Sequence, residues 1–362
     1  MAPPGGGGTF APAVRAASRA LLDWSLAQYA RPSNAFCHGA LVLAQLLFAG
    51  MHITAASALD HIPPFSFCAL RLALALPFLY WLARREGGRA LRGWERAWPL
   101  PMGAAIGTAY ALVFVCNQRS GPNYTAMVQP LIPLAAAAMS AALRIERVDA
   151  MKAGGLFVSV VGTTITLRVW TNEDEAPGVV DSIFLMTQPI AYATYVVLLA
   201  LALKRVRAGD GSNSTAAVTR RSVTTSHFED EDDDDDDDVV IEGLDRPPPG
   251  PMLFLFAATV VSEIVIASVG VRGLVRRVEW STLPAHAYLA VLYAGIMSSC
   301  FAHGINSWAI SHVSGVLPTV YSGVQVIFTV ILADIFLDEG AFYKIVSDWS
   351  PYDRVGEVDA VP

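Results

Sequence analysis

Residues 252–274 read MLFLFAATVVSEIVIASVGVRGL, a largely apolar stretch interrupted by Glu263 and Arg272. An α-helix needs about 20 consecutive, mostly apolar residues to cross the hydrocarbon core of a bilayer. The stretch therefore predicts a transmembrane helix. Strands are not indicated, because only closed barrels satisfy strand backbones in lipid and no repeated ten-residue alternation occurs in this sequence.

Further stretches of the same kind extend the prediction along the chain. In order, the nine predicted spans are Phe36–Ala58, Phe65–Leu82, Trp98–Asn117, Tyr124–Leu143, Met151–Trp170, Val179–Leu203, Met252–Leu274, Pro284–Trp308 and Gly315–Leu337. Connections as short as Asp60–Pro64 and Arg119–Asn123 make consecutive spans antiparallel neighbours. The predicted fold class is all-α, a polytopic transmembrane helical bundle of about nine helices.

The composition excludes a soluble globule. Hydrophobic residues make up 54% of the chain and charged residues 16%, whereas a soluble domain carries roughly 25% charged residues. The formal net charge of −7 comes from an acidic run at residues 229–238. Without that run the chain is mildly basic, as expected for a membrane protein whose cytoplasmic loops carry arginine.

Arginine and lysine predict the orientation of the spans. The connection after the second span carries five arginines between Arg84 and Arg96, and basic residues also follow the fourth and sixth spans. Cytoplasmic loops carry such an excess, so the N-terminus is predicted in the cytoplasm. Arg272 near the end of the seventh span and Arg276 and Arg277 just after it depart from this pattern.

A weak internal repeat relates the fourth and ninth spans. The fourth ends with Leu143-Arg-Ile-Glu146 and the ninth with Phe336-Leu-Asp-Glu339, an offset of 193 residues. Copies that lie five spans apart would run in opposite directions. Inverted repeats that meet near the midplane are a transporter architecture, because two equivalent halves can open alternately to either side.

Prolines within the spans predict breaks in the helices. Pro130 and Pro133 lie in the fourth span, Pro189 in the sixth and Pro318 in the ninth. Each would interrupt its helix and free backbone carbonyls, which could face a cavity.

Several motifs resemble a known superfamily. Residues 45–50 (QLLFAG) and 63–77 (PPFSFCALRLALALP) resemble the first two helices of EamA-type drug/metabolite transporters, nearest to the plant drug/metabolite exporter-like branch. Residues 117–133 (NQRSGPNYTAMVQPLIP) and 337–339 are similar to later helices of that superfamily. The resemblance implies ten helices in two inverted five-helix repeats and a carrier function.

One departure from that pattern lies at the end of the chain. Residues 341–362 are polar and charged and cannot span a bilayer, so the tenth helix is expected to be lacking. The predicted organisation is a disordered cytosolic tail (1–34), a first EamA-like half plus the sixth helix (35–204), an acidic low-complexity linker (205–250), a second, incomplete half (251–340) and a polar tail (341–362).

Two charged side chains lie well inside predicted spans, away from their ends. Arg71 is in the second span and Glu263 is in the seventh, which the repeat makes equivalent. Charges in lipid cost roughly 2.5–3.5 kcal/mol on insertion scales, so each is first a functional hypothesis. Arg71 could attract an anion, and Glu263 could couple transport to a proton or cation. The alternative for both is a structural clamp.

Histidines offer further candidates, since imidazole titrates near neutral pH. His52 is a candidate proton carrier, and a hydrogen-bonded residue within the bundle is the alternative. His303 and Asn306, three residues apart with Cys300 nearby, form a polar stripe on the eighth span. That stripe is typical of a cavity wall.

Neutral polar and aromatic side chains complete the candidate substrate site. The resemblance implies that the first, third, fourth, sixth, eighth and ninth spans line a central cavity. The residues in these spans that are implied as substrate contacts are Gln45, Tyr110, Asn117, Gln129, Gln188, Tyr192, Tyr321 and Gln325. The alternative for any one of them is a hydrogen bond between helices, worth roughly 0.6 kcal/mol.

The predicted function is a secondary carrier or exporter of a small organic metabolite that works by alternating access. A sugar-phosphate or nucleotide-sugar translocator, or a membrane-embedded enzyme or receptor, remains an alternative. No catalytic, cofactor or metal motif is found, so no enzyme activity is predicted. The predicted partners are the lipid bilayer and a small-molecule substrate, with a homodimer left open and no nucleic acid. A plasma membrane, an endomembrane or a plastid membrane is the predicted location.

Overall fold

The structure, a computed structural model, describes residues 33–144, 153–154, 157, 161, 178–225, 247–313 and 317–337. The main elements in these ranges are helices. They are α1 (Asn34–Leu59), α2 (Pro64–Arg85), a short 3₁₀ helix (Gly93–Ala97), α3 (Pro99–Met127), α4 (Leu131–Ala142), α5 (Val179–Thr225), α6 (Pro251–Arg276), α7 (Ala285–Tyr293), a π-helical segment (Ala294–Ala302), α8 (His303–His312), α9 (Leu317–Val320) and α10 (Ser322–Leu337).

The predicted helical bundle is confirmed. Seven helical stretches of the described chain are long and apolar enough to cross a membrane, and they correspond to predicted spans one, two, three, six, seven, eight and nine. Most of the predicted fifth span and residues 338–362 lie outside the described residues. The fourth span differs, because α4 has only 12 residues.

The bundle exposes large apolar side chains and buries a group of polar ones within its largely apolar interior. Large apolar side chains such as Ile264, Ile327 and Leu289 are exposed on its surface. Glutamine, histidine and arginine side chains, including Gln45 and Arg71, are buried among the helices. A soluble protein shows the opposite distribution, because its surface must be hydrated. This arrangement suits a bundle whose outer surface faces lipid.

The predicted connection Arg119–Asn123 contains a break between two helices, although it is a sharp kink and not a longer loop. The element α3 (Pro99–Met127) consists of two helices that meet at Gly121, where φ is 85° and ψ is 165°. Such a positive φ favours glycine, which has no Cβ to clash. Pro122 follows, and a proline disfavours the α conformation of the residue before it. The local sequence therefore explains the bend.

The fourth and ninth spans are both broken helices. Val128–Pro130 separates the end of α3 from α4, and Tyr321 separates α9 from α10. Pro130 and Pro318, two of the prolines predicted to interrupt spans, lie at or near these breaks. Tyr321 is 193 residues after Val128, the offset of the sequence repeat.

The other two prolines do not interrupt their helices as predicted. Pro189 lies within the continuous helix α5. Pro133 lies in the first turn of α4, where a missing N–H leaves no helical bond unmade.

Helix α5 is longer than the predicted sixth span and continues to Thr225, well into the predicted linker. Residues 190–246 contain no proline that would stop a helix.

The eighth span contains a feature that the sequence did not predict. Between α7 and α8, residues Ala294–Ala302 form a π-helical segment. Ser299 Oγ donates to the Ala294 carbonyl at 2.9 Å, and Cys300 Sγ approaches the Gly295 carbonyl at 3.4 Å. π-helical turns are rare overall, and those that occur are often found at functional sites. Here the segment sets the rotation of α8, which carries His303 and Asn306.

Contacts at one face of the bundle join the ends of several spans. The Arg205 guanidinium lies over the Trp98 ring, 5.5 Å from its centroid. Arg207 Nη2 donates to the Ser311 carbonyl at 2.7 Å. The start of the third span and the ends of the sixth and eighth spans therefore lie together.

Contacts at the opposite face join the other ends. Arg119 and Asp181 form an ion pair between the end of the third span and the start of the sixth. Gln118 Nε2 donates to the Leu59 carbonyl at 2.8 Å, at the end of the first span. The third and sixth spans thus run from one face to the other.

A central polar cavity as the candidate functional site

A narrow cavity of about 50 Å³ lies among the helices. A single water needs roughly 10–15 Å³, so the space holds only a few waters. Seven of the predicted spans contribute to its wall. The lining residues are Gln45, Phe48, Met51, His52, Arg71, Ala109, Tyr110, Val113, Gln129, Ile132, Gln188, Tyr192, His303, Asn306, Pro318, Thr319, Ser322 and Gln325.

Most of the predicted site residues lie around this cavity. The structure brings together Gln45, His52, Arg71, Tyr110, Gln129, Gln188, Tyr192, His303, Asn306 and Gln325. Three predicted residues do not line it: Asn117, Tyr321 and Glu263. The sequence pattern thus selected positions from the first, second, third, fourth, sixth, eighth and ninth spans that converge in the fold.

Arg71 provides the cationic group of the cavity wall. Its side chain is 1% exposed, and its guanidinium lies 4.5 Å from the Tyr110 ring centroid and 4.6 Å from that of Phe114. Nη1 approaches the Met51 sulfur at 3.1 Å. Aromatic faces stabilise a cation through their quadrupole, so these two rings offset part of the cost of burying the charge.

Aromatic rings form the part of the wall around His303. The imidazole contacts the rings of Phe48, Tyr110 and Tyr192 with centroid distances of 4.7, 4.9 and 5.6 Å. Asn306 Nδ2 donates to Tyr192 Oη at 3.2 Å, and that hydroxyl lies 3.5 Å from His303 Nδ1. The predicted polar stripe of the eighth span therefore faces the sixth span across the cavity.

The two broken helices meet at the cavity. Gln129 Nε2 donates to Gln188 Oε1 at 3.1 Å and to the Thr125 carbonyl at 2.9 Å. Ser322 Oγ donates to the Gln129 carbonyl at 3.0 Å. Ser322 is 193 residues after Gln129, so two positions related by the repeat touch. The bond gives a partner to a carbonyl in the interrupted stretch between α3 and α4.

The three predicted residues outside the cavity have other environments. Asn117 Nδ2 donates to the His52 carbonyl at 2.8 Å and joins the third span to the first. The Tyr321 hydroxyl bonds to His38 Nδ1. Glu263 is half-buried on α6, and its Oε2 has no hydrogen-bond partner in the described residues.

Sequence reasoning missed several lining residues. Met51, Thr319 and Ser322 line the cavity but were not singled out. A methionine in a span looks like an ordinary core residue, and serine or threonine in a helix commonly bonds a carbonyl of its own helix. Only the break at Tyr321 turns the Ser322 hydroxyl toward another span. No cluster of three metal-ligating side chains occurs among the described residues.

The fold and the cavity define an integral, multi-pass, α-helical membrane protein with a polar centre. Residues 36–168 match the family model described as the EamA-like transporter family. That family consists of transporters rather than enzymes. Together with the apolar helices, the match indicates a membrane transporter.

Comparison with solved structures supports the fold. A structure titled only "Crystal structure of protein" is similar with a TM-score of 0.57 and 16% sequence identity. The match covers 87% of this chain and 94% of that chain. At this identity the likeness concerns the fold alone. The search of curated proteins found no match.

Proposed function

We propose that the protein is a secondary carrier that moves a small organic metabolite through the central cavity by alternating access. The resemblance of residues 45–50 and 63–77 favours the plant drug/metabolite exporter-like branch. The single observation that carries the proposal is a central cavity lined by polar side chains in a bundle whose exterior is apolar. Polar groups buried in lipid are costly, and they mark substrate pathways.

The broken helices support alternating access. The end of the third span and the end of the eighth lie at opposite faces, judged by the contacts of Arg119 with Asp181 and of Arg207 with Ser311. The fourth and ninth spans start from those opposite faces, so they would run in opposite directions. Discontinuous helices of two inverted halves, meeting at a cavity, are typical of secondary transporters.

The coupling ion is part of the proposal. His52 lines the cavity, and its Nδ1 has no hydrogen-bond partner in the described residues. It can carry a proton between the two sides if the cavity opens to each in turn. Glu263 lies outside the cavity lining, so its coupling role would require a rearrangement of α6 against α2.

Counterflow with purified protein tests the proposal. Vesicles that contain the protein and a mixture of unlabelled metabolites should accumulate the labelled form of one of them, without ATP. Ile132→Trp fills the cavity, where Ile132 is buried, and should abolish this flux. Ile264→Trp changes a surface side chain that is 67% exposed and should leave it intact.

Two results would contradict the carrier. One is the absence of counterflow for every solute in vesicles whose protein is folded. The other is equal flux in the Ile132→Trp and Ile264→Trp vesicles, since the cavity would then not be the route.

A further inference from the structure

We infer that the ligand of the central cavity is a small organic anion whose carboxylate is bound by the Nε–Nη2 edge of Arg71. This inference rests on the proposed function, because it names the substrate class of the same cavity. It depends on the donors that the protein leaves unused around Arg71 and on the charges that surround them.

The guanidinium of Arg71 has one occupied side and one free edge. Nη1 contacts the Met51 sulfur at 3.1 Å, whereas Nε and Nη2 are buried and have no hydrogen-bond partner in the described residues. By the standard naming of the atoms, Nε–H and one N–H of Nη2 point the same way. Two parallel donors of this kind match the two oxygens of a carboxylate. A buried donor that stays unpaired is costly, so the two unpaired donors of Arg71 indicate that a ligand binds there.

No carboxylate of the described chain neutralises this cation at close range. Glu263 is an acid whose charge acts on Arg71, yet no ion pair within 4 Å joins the two side chains. The Cys68 thiol, one turn before Arg71, is a hydrogen-bonding neighbour of the guanidinium. A thiol is only a weak acceptor. A buried charge is normally paired, and an anionic ligand would supply the missing partner.

The surroundings of Arg71 restrict the chemical class of the anionic ligand further. Tyr110 and Phe114 hold the guanidinium between 4.5 and 4.6 Å from their centroids, which fixes its plane. Apart from the titratable His52 and His303, the remaining wall is uncharged, so Arg71 is the one permanent cation of the described lining. A single positive charge suits a carboxylate better than a phosphate dianion, which usually requires several donors with positive charge.

Two other unused atoms lie at the same cavity. Asn306 Oδ1 is buried without a hydrogen-bond partner in the described residues, and so is His52 Nδ1. Asn306 Oδ1 can only accept a hydrogen bond. The ligand should therefore carry a hydrogen-bond donor in addition to its carboxylate, with an apolar body between them that contacts the rings.

Matched pairs of small solutes test the inference in purified protein. Thermal stabilisation should be measured with acetate and acetamide, benzoate and benzamide, and succinate and succinamide, with inorganic phosphate as a separate arm. At least one carboxylate should bind about tenfold or more tightly than its amide. Arg71→Lys keeps the charge but lacks the two-donor edge, so it should remove most of that preference. Arg85→Lys, at a guanidinium stacked on Trp81 away from the cavity, should retain it.

The inference is overturned if no carboxylate binds more tightly than its amide, if phosphate binds more tightly than every carboxylate, or if Arg71→Lys keeps the full preference. If Arg71→Lys does not fold, the inference is tested by comparing the binding of each carboxylate with that of its amide to the unmodified protein. Carboxylate binding without counterflow would contradict the carrier function alone. Counterflow of neutral solutes without any carboxylate preference would contradict the substrate class alone.

Discussion

Glycines at helix contacts set how closely the helices approach. A Cβ on Gly103 would lie 2.5 Å from the Val261 Cβ and 2.8 Å from the Ala258 carbonyl oxygen. A Cβ on Gly270 would lie 2.6 Å from the Phe65 carbonyl oxygen. Small residues of this kind allow helix backbones to pack closely in membranes. The α3–α6 and α2–α6 contacts therefore depend on having no side chain at these positions.

Gly103→Ala should destabilise the protein by about 1–3 kcal/mol, because the added methyl group has to displace α6. The matched control is Gly39→Ala in α1, where an added Cβ meets no atom within 4 Å. Alanine is favoured over glycine inside a helix by about 0.5–1 kcal/mol, so this control should be neutral or stabilising. Thermal unfolding in detergent measures both. Equal melting temperatures for the two variants would refute the contact.

Glu86 caps the helix that begins after the linker. Its carboxylate accepts a hydrogen bond from the Met252 N–H at 3.1 Å, at the N-terminus of α6. Burial raises the pKa of Glu86 to about 7, although backbone N–H groups of Met252 and Leu253 act in the opposite direction. Next to it, the Arg89 N–H donates to the Pro247 carbonyl at 2.9 Å. This loop therefore ties the first half of the chain to the second.

The raised pKa of Glu86 predicts how stability depends on pH. The folded protein binds this proton more tightly than the unfolded chain, whose carboxyl titrates near 4.5. Its contribution to stability is therefore complete below pH 4.5 and is lost as the pH rises through about 7. Between pH 5 and pH 8 the melting temperature should fall more in the parent protein than in Glu86→Gln. An equal fall in both would contradict the burial of this carboxyl.

At the scale of helices, the apolar stretches could be predicted and the irregularities only in part. Hydropathy located the spans because lipid requires long apolar helices. The breaks near Pro130 and Pro318 agree with proline chemistry, yet Pro189 stayed helical in the same kind of span. No sequence signal predicted the π-helical segment, because its hydrogen-bonding pattern depends on packing against other helices. Gly295 in this segment packs closely on α2, where an added Cβ would lie 3.0 Å from the Arg71 carbonyl oxygen.

Deletion of Phe301 tests the role of the π-helical segment. Phe301 is half exposed on the surface of the bundle. A π-helical turn contains about one residue more than an α-helical turn, so removing one residue allows α-helical bonding while α8 keeps nearly the same rotation relative to α7. His303 and Asn306 should therefore stay at the cavity, and counterflow should persist with unchanged helical content by circular dichroism. The control, Phe301→Ala, should transport normally. Loss of counterflow in the deletion alone would mean that the π-helical bonding itself is required at the site.

At the scale of the whole molecule, the cavity results from the placement of polar residues. Gln45, Gln188 and Gln325 could be chosen from the sequence because the family resemblance implied that their spans line a cavity and because amides turn inward when lipid surrounds the bundle. Asn117 satisfied the same rule but joins two helices. Hydropathy cannot separate these two outcomes, since both bury the side chain. Only the three-dimensional position of each span does so.

The central claim is that the cavity opens to each side of the membrane in turn. Ile132→Cys places a thiol in the cavity wall, whereas the four native cysteines are buried. A membrane-impermeant thiol reagent should label this cysteine both in right-side-out and in inside-out vesicles that remain sealed to a trapped dye. Ile264→Cys, on the outer surface of α6, and the parent protein serve as controls and should stay unlabelled. Labelling from one side only, or from neither, would contradict alternating access.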